Sequence, residues 1–147
     1  MIDTVNNLAT ALQRLKNPDE STLKTINIGY NGIGDQGAVA LANAITVTKA
    51  PIQWIGLEGN GIGDQGATAI ENALHYNDTI TYLGIKYNNV SKSKMDSILK
   101  LCENTVERRA AVKEWREKYP IIVEPEVNPV TDDEEVDMSC IYLTVEI

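Results

Sequence analysis

The chain has 147 residues and a formal net charge of −8 at pH 7, a length that suits one domain with a sizeable buried core. All 13 Lys and Arg lie within residues 1–120 together with 13 acids, whereas residues 121–147 hold the other 8 acids and no base. We expect neither nucleic acid nor membrane as a partner, because both require basic patches and no apolar run is long enough to span a bilayer.

The two cysteines, Cys102 and Cys140, lie far apart in sequence, and the first residues lack the basic and apolar regions of a signal peptide. Two cysteines in a chain of this length are more simply free thiols of a reducing compartment than a disulfide framework. We therefore expect a cytoplasmic protein.

The first element is a predicted helix. The apolar residues Val5, Leu8, Leu12 and Leu15 recur at helical spacing, and the pattern stops at Asn17-Pro18. The segment LATAL within it resembles LANAI and IENAL further along the chain. We therefore interpret residues 1–22 as a partial repeat whose helix caps the N-terminal end of the core.

Three runs then share one spacing of apolar residues: Leu23–Ile33, Ile52–Ile62 and Ile80–Val90. Each contains an asparagine at the same place, and these asparagines lie 29 and then 28 residues apart. A self-similar period of this length indicates a stacked-repeat architecture spanning residues 23–102. The three asparagines are Asn31, Asn60 and Asn88.

Each repeat begins with a short predicted strand. Ile26 and Ile28 alternate with polar neighbours, so both should point inward, and the later repeats have equivalent pairs. One strand every 28–29 residues, with a helix between, requires parallel pairing. The asparagine after each strand should bond backbone groups of neighbouring turns in an internal ladder; contact with a ligand is the alternative.

The next segment reads Gly32–Gly37 and recurs as Gly61–Gly66, and both fit the G-x-G-x-x-G pattern. A dinucleotide-binding site is disfavoured, because such a domain needs one copy and the pattern here occurs twice in repeat register. We instead expect the glycines to form tight turns, and Asp35 and Asp64 to cap the helices of their own repeats.

Helices are predicted at about residues 36–46, 65–76 and 92–102, each with one small or apolar face. Cys102 occupies the position filled by Ile45 and Leu74 in the earlier repeats, so we expect a buried, inert thiol. The core faces are predicted to consist of Ala38, Leu41 and Ile45; Ala67, Ile70 and Leu74; and Met95, Ile98 and Cys102.

Residues 103–120 predict a further helix, ended by Pro120 and suited to capping the C-terminal end of the array. Val106, Ala110 and Trp115 are its candidate packing residues. Arg108-Arg109 lie among glutamates, which favours a solvated face of mixed charge over a basic docking site.

Residues 121–147 form an acidic tail that ends in SCIYLTVEI, where apolar residues alternate as in a strand. Such a strand could pair with an exposed sheet edge of the same molecule or of another copy, and the sequence leaves both open.

The repeated unit resembles the leucine-rich repeat, in its ribonuclease-inhibitor-like subclass, which also occurs in NOD-like receptors and short bacterial effectors. Leu23–Ile45 and Ile52–Leu74 carry the pattern closely, and Ile80–Cys102 carries it more loosely. The resemblance implies a short right-handed α/β solenoid with parallel strands on the concave face, helices on the convex face and helical caps. It also implies protein binding as the activity, in a host cytosol if the protein is a secreted effector.

The sequence suggests no enzyme, cofactor or metal site. The single histidine, His75, lies at a predicted helix end without Cys, His or carboxylate at ligand spacing. No nucleophile and base are paired in the sequence, so catalysis has little support.

Outward-facing strand positions should form columns across the sheet. Trp54 and Tyr82 share one column and should touch, since adjacent strands lie about 4.8 Å apart. Gly56 and Gly84 share the next column and should leave a shallow trough beside the aromatics. Trp and Tyr dominate binding hot spots; the alternative is that the two rings simply cover each other and the sheet.

The third column brings Glu58 and Lys86 together, and we expect them to touch. The remaining candidate partner-binding residues of this face are Asn27, Tyr30 and Tyr87.

Two functional hypotheses follow. In the first, the concave strand face binds a protein partner; in the second, the repeats are a scaffold and the acidic tail carries the binding.

Overall fold

The computed structural model describes residues 2–14, 22–103 and 106–121. Within them three short strands alternate with helices, and no described helix is long and apolar enough to cross a bilayer. The elements in chain order are α1 (Ile2–Arg14), β1 (Thr25–Asn27), α2 (Gly34–Val47), β2 (Trp54–Gly56), α3 (Asp64–Leu74), β3 (Tyr82–Gly84), α4 (Lys92–Leu101) and α5 (Val106–Lys118).

The strands form one parallel sheet in the order β1-β2-β3. Ile26 lies beside Ile55, and Ile55 beside Leu83, and the three side chains are at most 5% exposed. Paired residues of adjacent strands are 29 and then 28 positions apart in sequence, as in the repeat period. This confirms the short α/β solenoid of leucine-rich repeats predicted from the sequence.

The core lies between the sheet and helices α2, α3 and α4. Ala38 and Ala67 are fully buried on successive helices, and α2 and α3 pack against each other along their length. Helix α1 packs against α2 and buries Val5 and Ala9, so it covers the N-terminal end of the helical layer. Of the predicted inward-facing residues named above, Met95 on α4 and Ile28 after β1 are only partly buried.

The asparagines form the ladder expected from their spacing. Asn60 is fully buried, and its Oδ1 accepts hydrogen bonds from the amides of Asn31 (2.9 Å) and Ile33 (3.5 Å) in the preceding repeat. Its Nδ2 donates to the carbonyls of Ile28 and Leu57, each at 3.0 Å. One side chain therefore satisfies backbone groups of two repeats where the strands end.

The aspartates do not cap the helices of their own repeats. Asp35 lies inside α2, and its Oδ1 accepts hydrogen bonds at 2.8 Å from the amides of Gly63 and Gly66, at the start of α3. Asp64 likewise accepts a bond at 2.7 Å from the amide of Ser91, just before α4. The prediction assigned each carboxylate to its sequence neighbours, whereas repeat stacking brings the next helix start within reach.

Helix α5 packs through a face other than the one predicted. Val106 is 79% exposed and Ala110 is exposed, whereas Arg108 and Val112 are buried. Arg108 Nη2 donates to the carbonyl of Asn77 at 2.8 Å, so this arginine does not belong to a solvated face. Burial lowers the pKa of the Arg108 guanidinium, and the charge of Asp78 partly opposes that effect.

The C-terminal half of α5 contacts the segment that joins α3 to β3. Arg116 Nε donates to the carbonyl of Tyr76 at 2.7 Å, and Trp115 stacks on His75 with ring centroids 4.5 Å apart. Trp115 therefore contributes to packing as predicted, but against the end of α3. Of the acidic tail only Ile121 is among the described residues, so the strand predicted in SCIYLTVEI and Cys140 lie outside them.

Candidate functional site

The strand face carries a stacked aromatic pair. Trp54 and Tyr82 are paired residues of adjacent strands, and their rings are parallel within 2° with centroids 5.4 Å apart. Tyr82 remains 45% exposed. The parallel sheet fixes this contact, because it places equivalent residues of successive repeats side by side.

The glycines beside this pair do not form an open trough. Gly56 and Gly84 are buried, because Trp54 leans over Gly56 and the Glu58 side chain lies over Gly84. A β-carbon on Gly56 would lie 2.6 Å from the Trp54 ring, so a larger residue would displace the indole. The glycines thus let two large side chains lie flat on the sheet, which the sequence pattern alone could not show.

Glu58 and Lys86 are predicted to touch. They form no ion pair in the described part of the chain. The Glu58 carboxylate extends across the sheet over Gly84, while Lys86 is exposed. The small glycine leaves room for the Glu58 carboxylate on the sheet. Each therefore presents a charge on the strand face.

Two tyrosines border this face in an unusual backbone conformation. Tyr30 and Tyr87 have φ of 58° and 59°, a left-handed region that non-glycine residues rarely adopt. The equivalent residue of the middle repeat is Gly59, with φ of 65°, and the Tyr30 ring lies over it. Both tyrosines are more than 70% exposed, so little packing compensates for the backbone cost.

Asn27 shapes the turn after β1. Its Oδ1 accepts a hydrogen bond from the amide of Gly29 at 3.1 Å, and its side chain is exposed at the edge of the strand face. Of the residues predicted to bind a partner, Trp54 stacks on Tyr82, and Asn27 Oδ1 lies over Gly56 beside the Trp54 ring. Glu58 lies over Gly84 on the same face, and the remaining candidates are exposed: Tyr30, Lys86 and Tyr87.

The remaining titratable groups of interest have structural roles. Burial raises the pKa of the Cys102 thiol to about 11, which makes it a poor nucleophile at neutral pH. Glu71 accepts bonds from Lys94 (2.6 Å) and from Ser97, and so joins α3 to α4. Among the described residues, no group of three His, Cys, Asp or Glu could hold a metal ion.

Two cavities of about 410 and 400 Å³ lie away from the aromatic pair. Both border the segment Asp78-Thr79 before β3, and both include an arginine of α5. Their linings are mostly polar, with Thr46, Thr48 and Arg116 in the first and Gln53, Thr81 and Arg109 in the second. Neither includes a residue predicted to bind a partner.

Comparison with known proteins agrees with this geometry. The family model described as "Leucine Rich repeat" matches residues 20–42 and 57–70. Among solved structures, "Leiomodin-1 Actin-Binding Site 2 (ABS2)" is similar with a TM-score of 0.58 and 20% identity, over 80% of this chain and 73% of that chain. No curated protein sequence matches the chain.

At 20% identity the leiomodin likeness concerns the fold alone. The first matched segment covers β1 and the start of α2, and the second runs from the residue after β2 into α3. Together with the parallel register and the asparagine ladder, they support the leucine-rich repeat fold of this chain.

Proposed function

We propose that this protein is a non-enzymatic interaction module that binds a protein partner through its concave strand face. One observation carries the proposal: the stacked Trp54 and Tyr82 lie on the strand face, with Tyr82 45% exposed. Large aromatic rings in that position are the typical anchors of protein interfaces. Exposed apolar patches on a folded domain often mark an interaction site.

The surroundings of the pair support the same function. Tyr30 and Tyr87 add two further exposed rings, and Glu58 and Lys86 carry charges without an ion-pair partner among the described residues. A central aromatic cluster with polar groups around it has the composition of an interface core and rim.

We propose actin as the first partner to assay, because the similar solved structure is titled as an actin-binding site of leiomodin and shares the fold of this chain.

Affinity capture tests the proposal. We expect full-length wild-type protein to retain a partner from native lysate, and the Trp54→Ala/Tyr82→Ala variant to lose it while its thermal midpoint changes little. Purified actin is assayed in parallel with both proteins. Leu99→Ala is the matched control, because Leu99 is an exposed apolar residue on α4 (42% exposed), away from the strands.

Two results oppose the proposal. If the double variant retains the same proteins, the face does not bind them. If it unfolds at much lower temperature, the rings serve mainly to cover each other and the sheet, as the alternative interpretation holds.

The second candidate places the binding in the acidic tail, because residues 121–147 hold 8 acids and no base. Deletion of residues 122–147 separates the candidates. Partner binding that survives the deletion supports the strand face, whereas binding lost on deletion and kept in the Trp54/Tyr82 variant supports the tail.

We also assign the repeats to the ribonuclease-inhibitor-like subclass, because Leu23–Ile45 and Ile52–Leu74 both resemble the repeat unit of that subclass. A cytosolic setting, in a host if the protein is a secreted effector, is supported only by the free, buried Cys102 and by the resemblance. Fractionation of the source cells tests the setting, and recovery in a membrane or extracellular fraction would contradict it.

A further inference from the structure

Each repeat donates backbone hydrogen bonds to the next one. The amide of Ile28 bonds the carbonyl of Gly56 at 3.0 Å, and the amide of Leu57 bonds the carbonyl of Gly84 at 2.7 Å. The equivalent donor of the third repeat is the amide of Ile85. It has no acceptor among the described residues.

A second row of donors behaves in the same way. The amide of Tyr30 bonds the carbonyl of Glu58 at 2.7 Å, and the amide of Gly59 bonds the carbonyl of Lys86 at 3.1 Å. The equivalent donor is the amide of Tyr87, which also has no acceptor in the described ranges. The last strand therefore presents two donors at strand spacing, and Ile85 is a buried residue, for which an unpaired amide is costly.

We propose that residues 141–147 of this same chain pair in parallel with β3 as a fourth strand. The register places Tyr142 beside Tyr82 and Leu143 beside Leu83. By the repeat geometry, the carbonyl of Thr144 then accepts from the Ile85 amide, and the carbonyl of Glu146 accepts from the Tyr87 amide.

The side chains of the segment agree with this register. Leu143 and Val145 take the inward positions that Leu83 and Ile85 occupy in β3. Tyr142 extends the Trp54–Tyr82 column to a third ring. A shift by one residue would turn the apolar side chains outward, so the alternation specifies the register strongly.

The charges agree as well. Glu146 would stand beside Lys86, which is exposed and has no ion-pair partner in the described part of the chain. Opposite charges that face each other on adjacent strands add about 0.2–1 kcal/mol to pairing.

The path of the chain permits pairing within one molecule. Pro120 and Ile121 lie beside Asn77–Thr79, the segment that leads into β3, so the chain leaves α5 at the end of the sheet where a parallel strand must begin. Residues 122–140 can span up to about 60 Å when extended. A parallel strand joined through helices is also the usual connection for such a sheet.

Amide hydrogen exchange, followed by NMR on the full-length protein, tests the pairing. We expect the Ile85 and Tyr87 amides to exchange on the order of 100-fold more slowly than in an unstructured chain. In Leu143→Asp/Val145→Asp both amides should lose that protection, while the amides of Leu57 and Gly59 keep theirs and show that the repeats remain folded.

The matched control is Val127→Asp/Val130→Asp, which adds the same charges to the tail outside the proposed strand and should leave both amides protected. Unprotected Ile85 and Tyr87 amides in the wild-type protein would overturn the proposal, whatever the variants do. Protection that appears only at high protein concentration, together with a dimer in sedimentation, would assign the strand to a second copy and overturn pairing within one molecule.

Discussion

The carboxylate of Asp35 lies 2.8 Å from the amide of Gly66, a residue of the following repeat. The same oxygen accepts from Gly63, and Asp64 repeats the arrangement toward Ser91. The hydrogen bond from the Ser91 amide holds the pKa of Asp64 below its usual value. The starts of α3 and α4 are therefore each satisfied by the preceding repeat, and these caps couple neighbouring repeats.

Asp35→Ala should lower the free energy of unfolding by about 1–2 kcal/mol, because it removes a cap for two amides. Asp35→Asn should cost less, since its carboxamide oxygen still accepts. Asp96→Ala is the control, an exposed aspartate on α4 outside the caps. Equal denaturant midpoints for the Asp35 and Asp96 variants would show that the cap contributes nothing.

The central rung of the asparagine ladder should matter most. Asn60→Ala leaves buried groups of two repeats unpaired, so we expect a loss of at least about 3 kcal/mol. Asn31→Ala should lose only about 1 kcal/mol, because Asn31 Nδ2 bonds carbonyls of its own turn and the side chain is exposed. Urea unfolding of both variants measures the difference, and similar losses would contradict the ladder as described.

Tyr87 should contribute to partner binding but lower the stability of the protein through its left-handed backbone conformation. Because its φ is 59°, Tyr87→Gly should raise the free energy of unfolding by about 0.5–1 kcal/mol relative to Tyr87→Ala, which keeps the unfavourable backbone. Both variants lose the ring and should bind the captured partner more weakly. Unchanged partner binding in both variants would remove Tyr87 from the interface.

Stability should fall as the pH decreases through the ordinary titration range of histidine. Burial lowers the pKa of His75 from 6.5, with the charge of Glu71 opposing the effect. The unfolded chain then binds a proton more readily than the folded protein, so stability is fully present above pH 6.5 and is lost progressively below it. The thermal midpoint between pH 7.5 and 5.5 measures this loss.

His75→Phe is the matched control, because it keeps a ring against Trp115 but cannot titrate. Its midpoint should fall less over the same range. Parallel pH profiles for the two proteins would show that His75 binds protons equally in both states.

The sequence could predict the features that follow from the spacing of the repeats. The inward positions of Ile26, Ile55 and Leu83, and the stack of Trp54 on Tyr82, follow once equivalent residues are placed side by side. What the period could not predict is where a side chain extends when its neighbour is a glycine. Glu58 therefore lies over Gly84, and no spacing rule could have predicted that position.

The sequence was least informative where repetition stops. Helix α5 has charged residues on every side, so its buried face depends on the carbonyl groups that the preceding repeats leave unpaired. Arg108 is buried because it reaches the carbonyl of Asn77, and local charge patterning assigned it to solvent. The buried face of α5 could have been predicted only from the backbone carbonyl groups available at the end of the repeat array.

Hydrogen–deuterium exchange of the complex with the captured partner, or with actin if actin binds, tests the concave-face proposal most directly. We expect slower exchange on binding in the segments that carry Trp54–Gly59 and Tyr82–Tyr87, and little change in α2, α3 and α4. Protection confined to those helices, with no change in the two strand segments, would contradict binding through the strand face.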